Sequence, residues 1–160
     1  MVIVDATLIK TERPTKKQRA YYSGKHKAHG VKLQIVINHA TKEILNLAFA
    51  NGKTHDFELF RKNRQWLSDD VLVMGDLGYL GIHKIHARSL IPYKKPKGGC
   101  LSKLQNAENS ELASHRIAVE HVFRFIKSFK ILGTRYRNRR RKIGLRSTII
   151  AMLFNELHAI

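Results

Sequence analysis

Residues 1–9 form an almost continuous apolar run, which a single carboxylate, Asp5, interrupts. A short run rich in β-branched residues is typical of a strand that is covered on both faces. A lone carboxylate in such a strand is costly unless it pairs with a cation or binds a metal. Because Asp5 breaks the only apolar stretch at this end, we also expect no secretory signal. The sequence therefore predicts a buried strand that carries an acid in its middle.

The rest of the chain alternates between patterns of strand and helix, which predicts a mixed α/β domain. Val119, Val122, Phe123, Ile126 and Phe129 follow the spacing of one helix face. In chain order we predict a loop or ribbon at 11–30, hairpin strands at 31–37 and 44–50, a helix with Thr54 as its N-cap that carries residues 57–67, a strand at 71–74, a short helix near Gly81, a strand at 89–93 and helices at 106–131 and 147–158.

The charge of the chain points to a polyanionic partner. Thirty Lys and Arg residues stand against 12 Asp and Glu, which gives a formal net charge of +18. A field of this size favours nucleic acid. The single cysteine, Cys100, excludes an internal disulfide framework, and no apolar run reaches the roughly 18 residues of a membrane helix. We expect a cytoplasmic protein that binds nucleic acid.

With so few acids in a basic chain, each one can be interpreted by its position. Nine lie in turns, at helix starts or on the last helix, where acids are common. Asp5, Asp76 and Glu120 differ, since they lie inside a strand, at a strand end and beside an apolar helix stripe. Either each has its own cationic partner, such as Arg116 or Arg124 one turn from Glu120, or the three share a metal. The other nine are Glu12, Glu43, Asp56, Glu58, Asp69, Asp70, Glu108, Glu111 and Glu156.

Four sequence blocks carry a resemblance to a known family. They are Val-Asp-Ala-Thr at 4–7, Tyr-Ser-Gly-Lys at 22–25, Asp-Leu-Gly-Tyr-Leu-Gly at 76–81, and the spacing Arg116, Glu120 and Lys127. In this order they resemble the catalytic domain of bacterial insertion-sequence DDE transposases, the group similar to Harbinger-type transposases. Two positions depart from the family pattern: Ala113 stands where some relatives have Tyr, and Leu77 where a small polar or basic residue is usual.

The resemblance implies a ribonuclease-H-like α/β fold with a mixed sheet flanked by helices. It implies that Asp5, Asp76 and Glu120 are the catalytic acids and hold two divalent ions, magnesium or manganese, of the kind that assist phosphodiester transfer. It implies cleavage and strand transfer at insertion-sequence ends, with double-stranded DNA as partner and a dimer on that DNA. Because Met1 lies four residues before Asp5, we expect residues 1–160 to be one catalytic domain without the helix-turn-helix domain that relatives carry upstream, so that a separate upstream transposase segment would supply end recognition.

Basic residues near these blocks are candidates for DNA contact. Arg116 has a second interpretation as a salt-bridge partner of Glu120, and Tyr21 and Tyr22 could stack on an unpaired base or belong to the core. The predicted DNA-contact residues are Arg19, Lys25, Lys27, Lys32, Arg116, Lys127, Arg135, Arg137, Arg139, Arg140, Arg141 and Lys142.

Two rival functions stay open on the sequence. One is a metal-dependent nuclease on the same fold that cleaves without strand transfer. The other is an inactive, basic DNA-binding remnant in which the three acids have no shared role.

Overall fold

A central strand organises the molecule, which a computed structural model describes over residues 1–158. Strand β1 (Val2–Lys10) pairs antiparallel with β3 (Ala28–Asn38) along its whole length, and β3 pairs antiparallel with β4 (Ile44–Asn51). On its other side β1 pairs in parallel with β5 (Val73–Met74), which pairs with β6 (Ser89–Leu90). The order of these five strands is therefore β4-β3-β1-β5-β6, and a sixth, two-residue strand, β2 (Tyr22–Ser23), pairs with the start of β3.

Helices cover both faces of this sheet because the strands are apolar on both faces. Ile3, Leu33 and Ile35 pack on one side against α3 (Lys103–Ser128), α4 (Lys130–Gly133) and α5 (Ile143–His158). Val2, Val4 and Val36 pack on the other side against α2 (Asp56–Asn63) and the turns that follow β5. This is a mixed sheet flanked by helices, so the predicted ribonuclease-H-like fold is confirmed.

Several predicted elements have different limits in the structure. The polar stretch at 11–30 contains a short helix, α1 (Gln18–Tyr21), the two-residue strand β2 (Tyr22–Ser23) and the start of β3. The long helix α3 begins earlier than predicted, because the side chains of Ser102 and Gln105 form a capping box.

The predicted N-cap of α2 is wrong. His55 occupies the cap position and makes no side-chain cap hydrogen bond, while the Thr54 carbonyl accepts from Lys32 Nζ at 2.5 Å. The helix ends at Asn63, and a 3-10 turn at Arg64–Trp66 separates it from Leu67. Among residues 1–158, no helix is long and apolar enough to cross a membrane.

The strand after α2 is shorter than predicted, and this matters for the site. Parallel pairing between β1 and β5 covers only Val2 with Val73 and Ile3 with Met74. Beyond Met74 the chain turns away through two 3-10 turns, Leu77–Tyr79 and Ile82–Lys84, which a positive φ of 93° at Gly81 separates. On the side of β1 that faces β5, the second half of the strand therefore has no paired neighbour and borders an opening. Its other side stays paired with β3.

Candidate active site

Asp5 and Asp76 lie next to each other where the parallel strands separate. The last paired residues are Ile3 and Met74, and each acid follows its partner residue by two positions. Neighbouring strands lie about 4.8 Å apart, so residues at matching positions beyond the ladder start close together. The charge of Asp76 is one of the influences that raise the pKa of Asp5. The carboxyl ends of parallel strands form the crevice in which α/β proteins bind ligands.

The Asp5 carboxylate is mostly buried, and its partner is a residue 111 positions away in the sequence. Oδ1 accepts the Ala6 backbone N–H at 2.7 Å, and Oδ2 accepts from Arg116 Nη2 at 3.1 Å. Burial is the main influence and raises the pKa of Asp5, with Asp76 adding to the rise and Arg116 opposing it. Of the two interpretations of Arg116, the salt bridge with Glu120 is wrong, because the guanidinium pairs with Asp5 instead.

Asp76 is fixed by the turn that it begins. Its Oδ1 accepts the Gly78 backbone N–H at 2.8 Å and so caps the 3-10 turn. A Cβ at Gly78 would lie 2.9 Å from that oxygen and 2.7 Å from Oδ2 of Asp56. A side chain at this position would therefore displace one of these carboxylates, and the carboxylates of Asp76 and Asp56 both lie close to Gly78.

Asp56 is a site neighbour that the sequence reasoning missed. It is the first residue of α2, a position where an acid is expected without any further role. The fold places it beside Gly78 and 2.6 Å from Lys32 Nζ, which neutralises its charge. The hydroxyl of buried Tyr79 lies near the same acids, and after burial the charges of Asp5, Asp56 and Asp76 raise its pKa further. No sequence pattern links residue 56 to residue 76, so only the fold could show this proximity.

Glu120 stands apart from the two strand acids. Its side chain is exposed, on the α3 face that also carries Arg116 and Lys127. Those two basic residues reach β1: Arg116 contacts Asp5, and Lys127 Nζ donates to Thr7 Oγ1 at 2.6 Å. Within residues 1–158, no three His, Cys, Asp or Glu side chains are grouped closely enough to hold a metal ion. The structure thus brings Asp5 and Asp76 together and leaves Glu120 on the helix that packs over them.

A polar cavity of about 480 Å³ lies beside these acids, and we call it the lysine cavity. Its floor is β1 at residues 6–8, and its walls are the segments at 22–26 and 52–56 together with Lys32 and Gly78. The pKa of His26, which lines the cavity, shows the effect of nearby positive charge. Partial burial lowers this pKa most, and the charges of Lys25, Lys127, Lys32 and Lys10 lower it further. The cavity therefore has a positive potential next to a negative pair.

The arginine-rich segment, residues 135–142, packs against the segment that follows β1. Buried Tyr136 bridges to Thr11, and its hydroxyl accepts from Arg146 Nη1 at 2.7 Å. The guanidinium of Arg140 lies 4.1 Å from the ring centre of Tyr21. Tyr21 is thus covered and packs on the core, whereas Tyr22 is 43% exposed.

Most of the predicted DNA-contact residues are on the surface, and besides Lys127, which donates to Thr7, three make contacts within the chain. Lys32 pairs with Asp56, Arg116 with Asp5, and Arg140 with the Tyr21 ring. The exposed members are Arg19, Lys25, Lys27, Lys127, Arg135, Arg137, Arg139, Arg141 and Lys142.

Comparison with known proteins gives the family. Residues 4–155 match the family described as DDE superfamily endonuclease. The chain belongs to the DDE endonuclease superfamily. The match spans every element from β1 to α5 and includes Asp5, Asp76 and Glu120.

A curated relative supports the same assignment. The probable transposase for insertion sequence element IS702 from Microchaete diplosiphon is 46% identical over 155 residues, which is 97% of this chain. The chain spans 56% of that relative's length. No solved structure gives a significant match. The resemblance to insertion-sequence DDE transposases is confirmed.

Proposed function

We propose that this DDE superfamily member cleaves DNA strands at insertion-sequence ends and joins them to target DNA in a divalent-metal-dependent reaction. The observation that carries the proposal is the pair Asp5 and Asp76 at the opening of the sheet, in a family of DNA endonucleases. We further propose that residues 1–160 act as one catalytic unit, as a dimer on DNA, with end recognition from an upstream transposase segment.

The donor atoms of the site suit a hard divalent cation. Asp5 and Asp76 offer carboxylate oxygens side by side, and oxygen is the ligand type that magnesium and manganese prefer. Glu120 lies apart from this pair on α3, so it would complete the ligand set only after α3 moved it closer to β1, while Asp56 is neutralised by Lys32. Two such ions would supply an activated oxygen nucleophile and neutralise charge at the phosphate.

The chain's own basic residues would position the DNA. Arg116 holds Asp5 in place and balances its charge before any cation binds. Lys127 lies close by on Thr7, and its pKa is lowered, first by burial and then by Lys10, with Asp5 opposing. A phosphate between these residues would meet positive charge from α3 and from the lysine cavity. Charge-assisted contacts of this kind fix the register of a backbone.

A plasmid assay tests the proposal. With magnesium, the chain should nick supercoiled DNA and join a short donor duplex to it, and EDTA should stop both reactions. Nicking without joining would favour the rival function, a nuclease on the same fold. The absence of nicking with either magnesium or manganese, in a chain that binds DNA, would contradict the proposed activity of residues 1–160.

The arginine-rich segment should contribute to DNA affinity through phosphate charge. Arg137 and Arg139 are exposed and make no ion pair within the described residues. Changing both to Gln should weaken binding and reduce the slope of log K against log salt by about 1–2, because each lost phosphate contact removes about 0.9. Fluorescence anisotropy over a salt series measures the slope.

The matched control is the pair Lys94→Gln and Lys97→Gln. These lysines are also exposed but lie after β6, an edge strand of the sheet, whereas the arginine-rich segment contacts Thr11 and Tyr21. An equal loss of slope in the control would mean that affinity follows net charge rather than this surface.

A further inference from the structure

We propose that the lysine cavity binds one unpaired nucleotide of the DNA strand next to the cleaved phosphodiester. The inference rests on the proposed function and deepens it, since it specifies that the substrate strand is locally unpaired at the site. Four observations support it: the size of the cavity, the charge of the cavity, one exposed aromatic ring in its wall, and the position of the cavity beside Asp76.

The size of the cavity selects for a single nucleotide. Its volume of about 480 Å³ falls within the roughly 300–1,000 Å³ of small-molecule sites. β1 forms its floor, and the loops at 22–26 and 52–56 form its walls. Enzymes that hold one nucleotide in such a pocket first take it out of the stack.

The charge of the cavity suits a phosphate. Lys25 and Lys53 line it, are exposed, and form no ion pair within residues 1–158. Lys32 also lines it, but Asp56 already balances that lysine. The lowered pKa of His26 keeps this imidazole neutral near pH 7, so the free positive charge comes from the lysines.

One wall of the cavity offers a ring on which a base can stack. Tyr22 is 43% exposed, and its ring is held edge-to-face against His29, with 5.3 Å between the ring centres. Its neighbour Tyr21 is not free for this role, because Arg140 covers it. Base stacking on an aromatic side chain tolerates any sequence, which suits a site that must act on a strand by position.

The position of the cavity places the nucleotide at the acids. Gly78 and Asp56 form part of its lining, and the Gly78 N–H donates to Asp76. A nucleotide bound between Tyr22 and Gly78 would therefore have its phosphodiester at the edge of the site, within reach of Asp76. Gly78 both lines the cavity and donates to Asp76. Because Gly78 has no side chain, nothing at this residue separates the cavity from the Asp76 carboxylate.

Binding to two DNA probes without metal tests the inference. The probes are a fluorescein-labelled blunt duplex and the same duplex with a short unpaired tail at either end, in buffer with EDTA. The wild type should bind a tailed probe more tightly than the blunt one. Tyr22→Ala should lower affinity for the tailed probe by at least about 5-fold, the smallest effect expected for one lost stacking contact, and leave the blunt probe unchanged.

Two controls separate stacking from other effects. Tyr22→Phe keeps the ring and should retain the tail preference. Tyr93→Ala removes a ring of similar exposure, 46%, on the segment after β6, and should have no effect. Equal binding of tailed and blunt probes by the wild type would overturn the inference, as would an equal loss for both probes in Tyr22→Ala. Because no cleavage is needed, this failure is distinguishable from failure of the proposed reaction, which the nicking assay reports.

Discussion

Asp76→Asn should reduce magnesium-dependent DNA cleavage by more than about 10³-fold while DNA affinity stays within about 2-fold of the wild type. Asparagine keeps the oxygen that accepts from Gly78 N–H, so the turn is preserved. It removes the negative charge that a divalent cation would need beside Asp5. Initial nicking rates and anisotropy, measured on the same preparations, separate the two effects.

Asp70→Asn is the matched control for this prediction. Asp70 precedes β5 as Asp76 follows it, but it is exposed and contacts Ser68 rather than the site. Its nicking rate should equal that of the wild type. A normal rate in Asp76→Asn would remove Asp76 from the reaction, and cleavage would then have to depend on other residues.

The identity of the third acid can be tested with two more variants in the same assay. Glu120→Gln should lose as much activity as Asp76→Asn, because the proposed ligand set includes Glu120. Asp56→Asn should lose less, since Lys32 already neutralises Asp56. The reverse order would assign the third ligand to Asp56, the acid that the fold brings to Gly78.

The sequence predicted the parts of the site that local patterns encode. The strand bearing Asp5 is a run of β-branched residues, and the block at 76–81 pairs an acid with the glycines that a tight turn needs. The helix carrying Glu120 has an unbroken apolar stripe. Each of these signals lies within about a dozen residues, and the structure has each element.

Contacts between distant segments were outside the reach of those patterns. One of the two interpretations of Arg116 pairs it with Glu120 one turn away, but in the structure it pairs with Asp5, 111 residues distant in sequence. Local patterns do not predict Asp5 as the partner, because this contact depends on the packing of α3 over β1. Thr54 was predicted as an N-cap because its residue type is favoured, yet its carbonyl and the neighbouring Asp56 together hold Lys32. At Arg116 and at Lys32, ion pairs between segments distant in sequence determine which contacts form.

Arg116→Leu should destabilise the protein by about 2–4 kcal/mol in metal-free buffer at neutral pH. Removing one partner of a buried ion pair costs about 3–5 kcal/mol, and the Asp5 and Arg116 side chains are 15% and 20% exposed, so some of that cost is screened. Without the guanidinium, the burial that raises the pKa of Asp5 has less opposition. Urea unfolding followed by circular dichroism measures the change.

Adding Asp5→Asn to Arg116→Leu should restore most of this stability, since no uncompensated charge then stays buried. The advantage of the double variant over Arg116→Leu should be larger at pH 7 than in acid. The folded-state pKa of Asp5 is raised, so its favourable contribution is complete below the ordinary value of 3.8 and is lost as pH rises through the raised value. Asparagine resembles the protonated acid, so the advantage should disappear in acid. A double variant no more stable than Arg116→Leu would show that the guanidinium acts through its packing, and the Asp5 charge would then carry no stability cost.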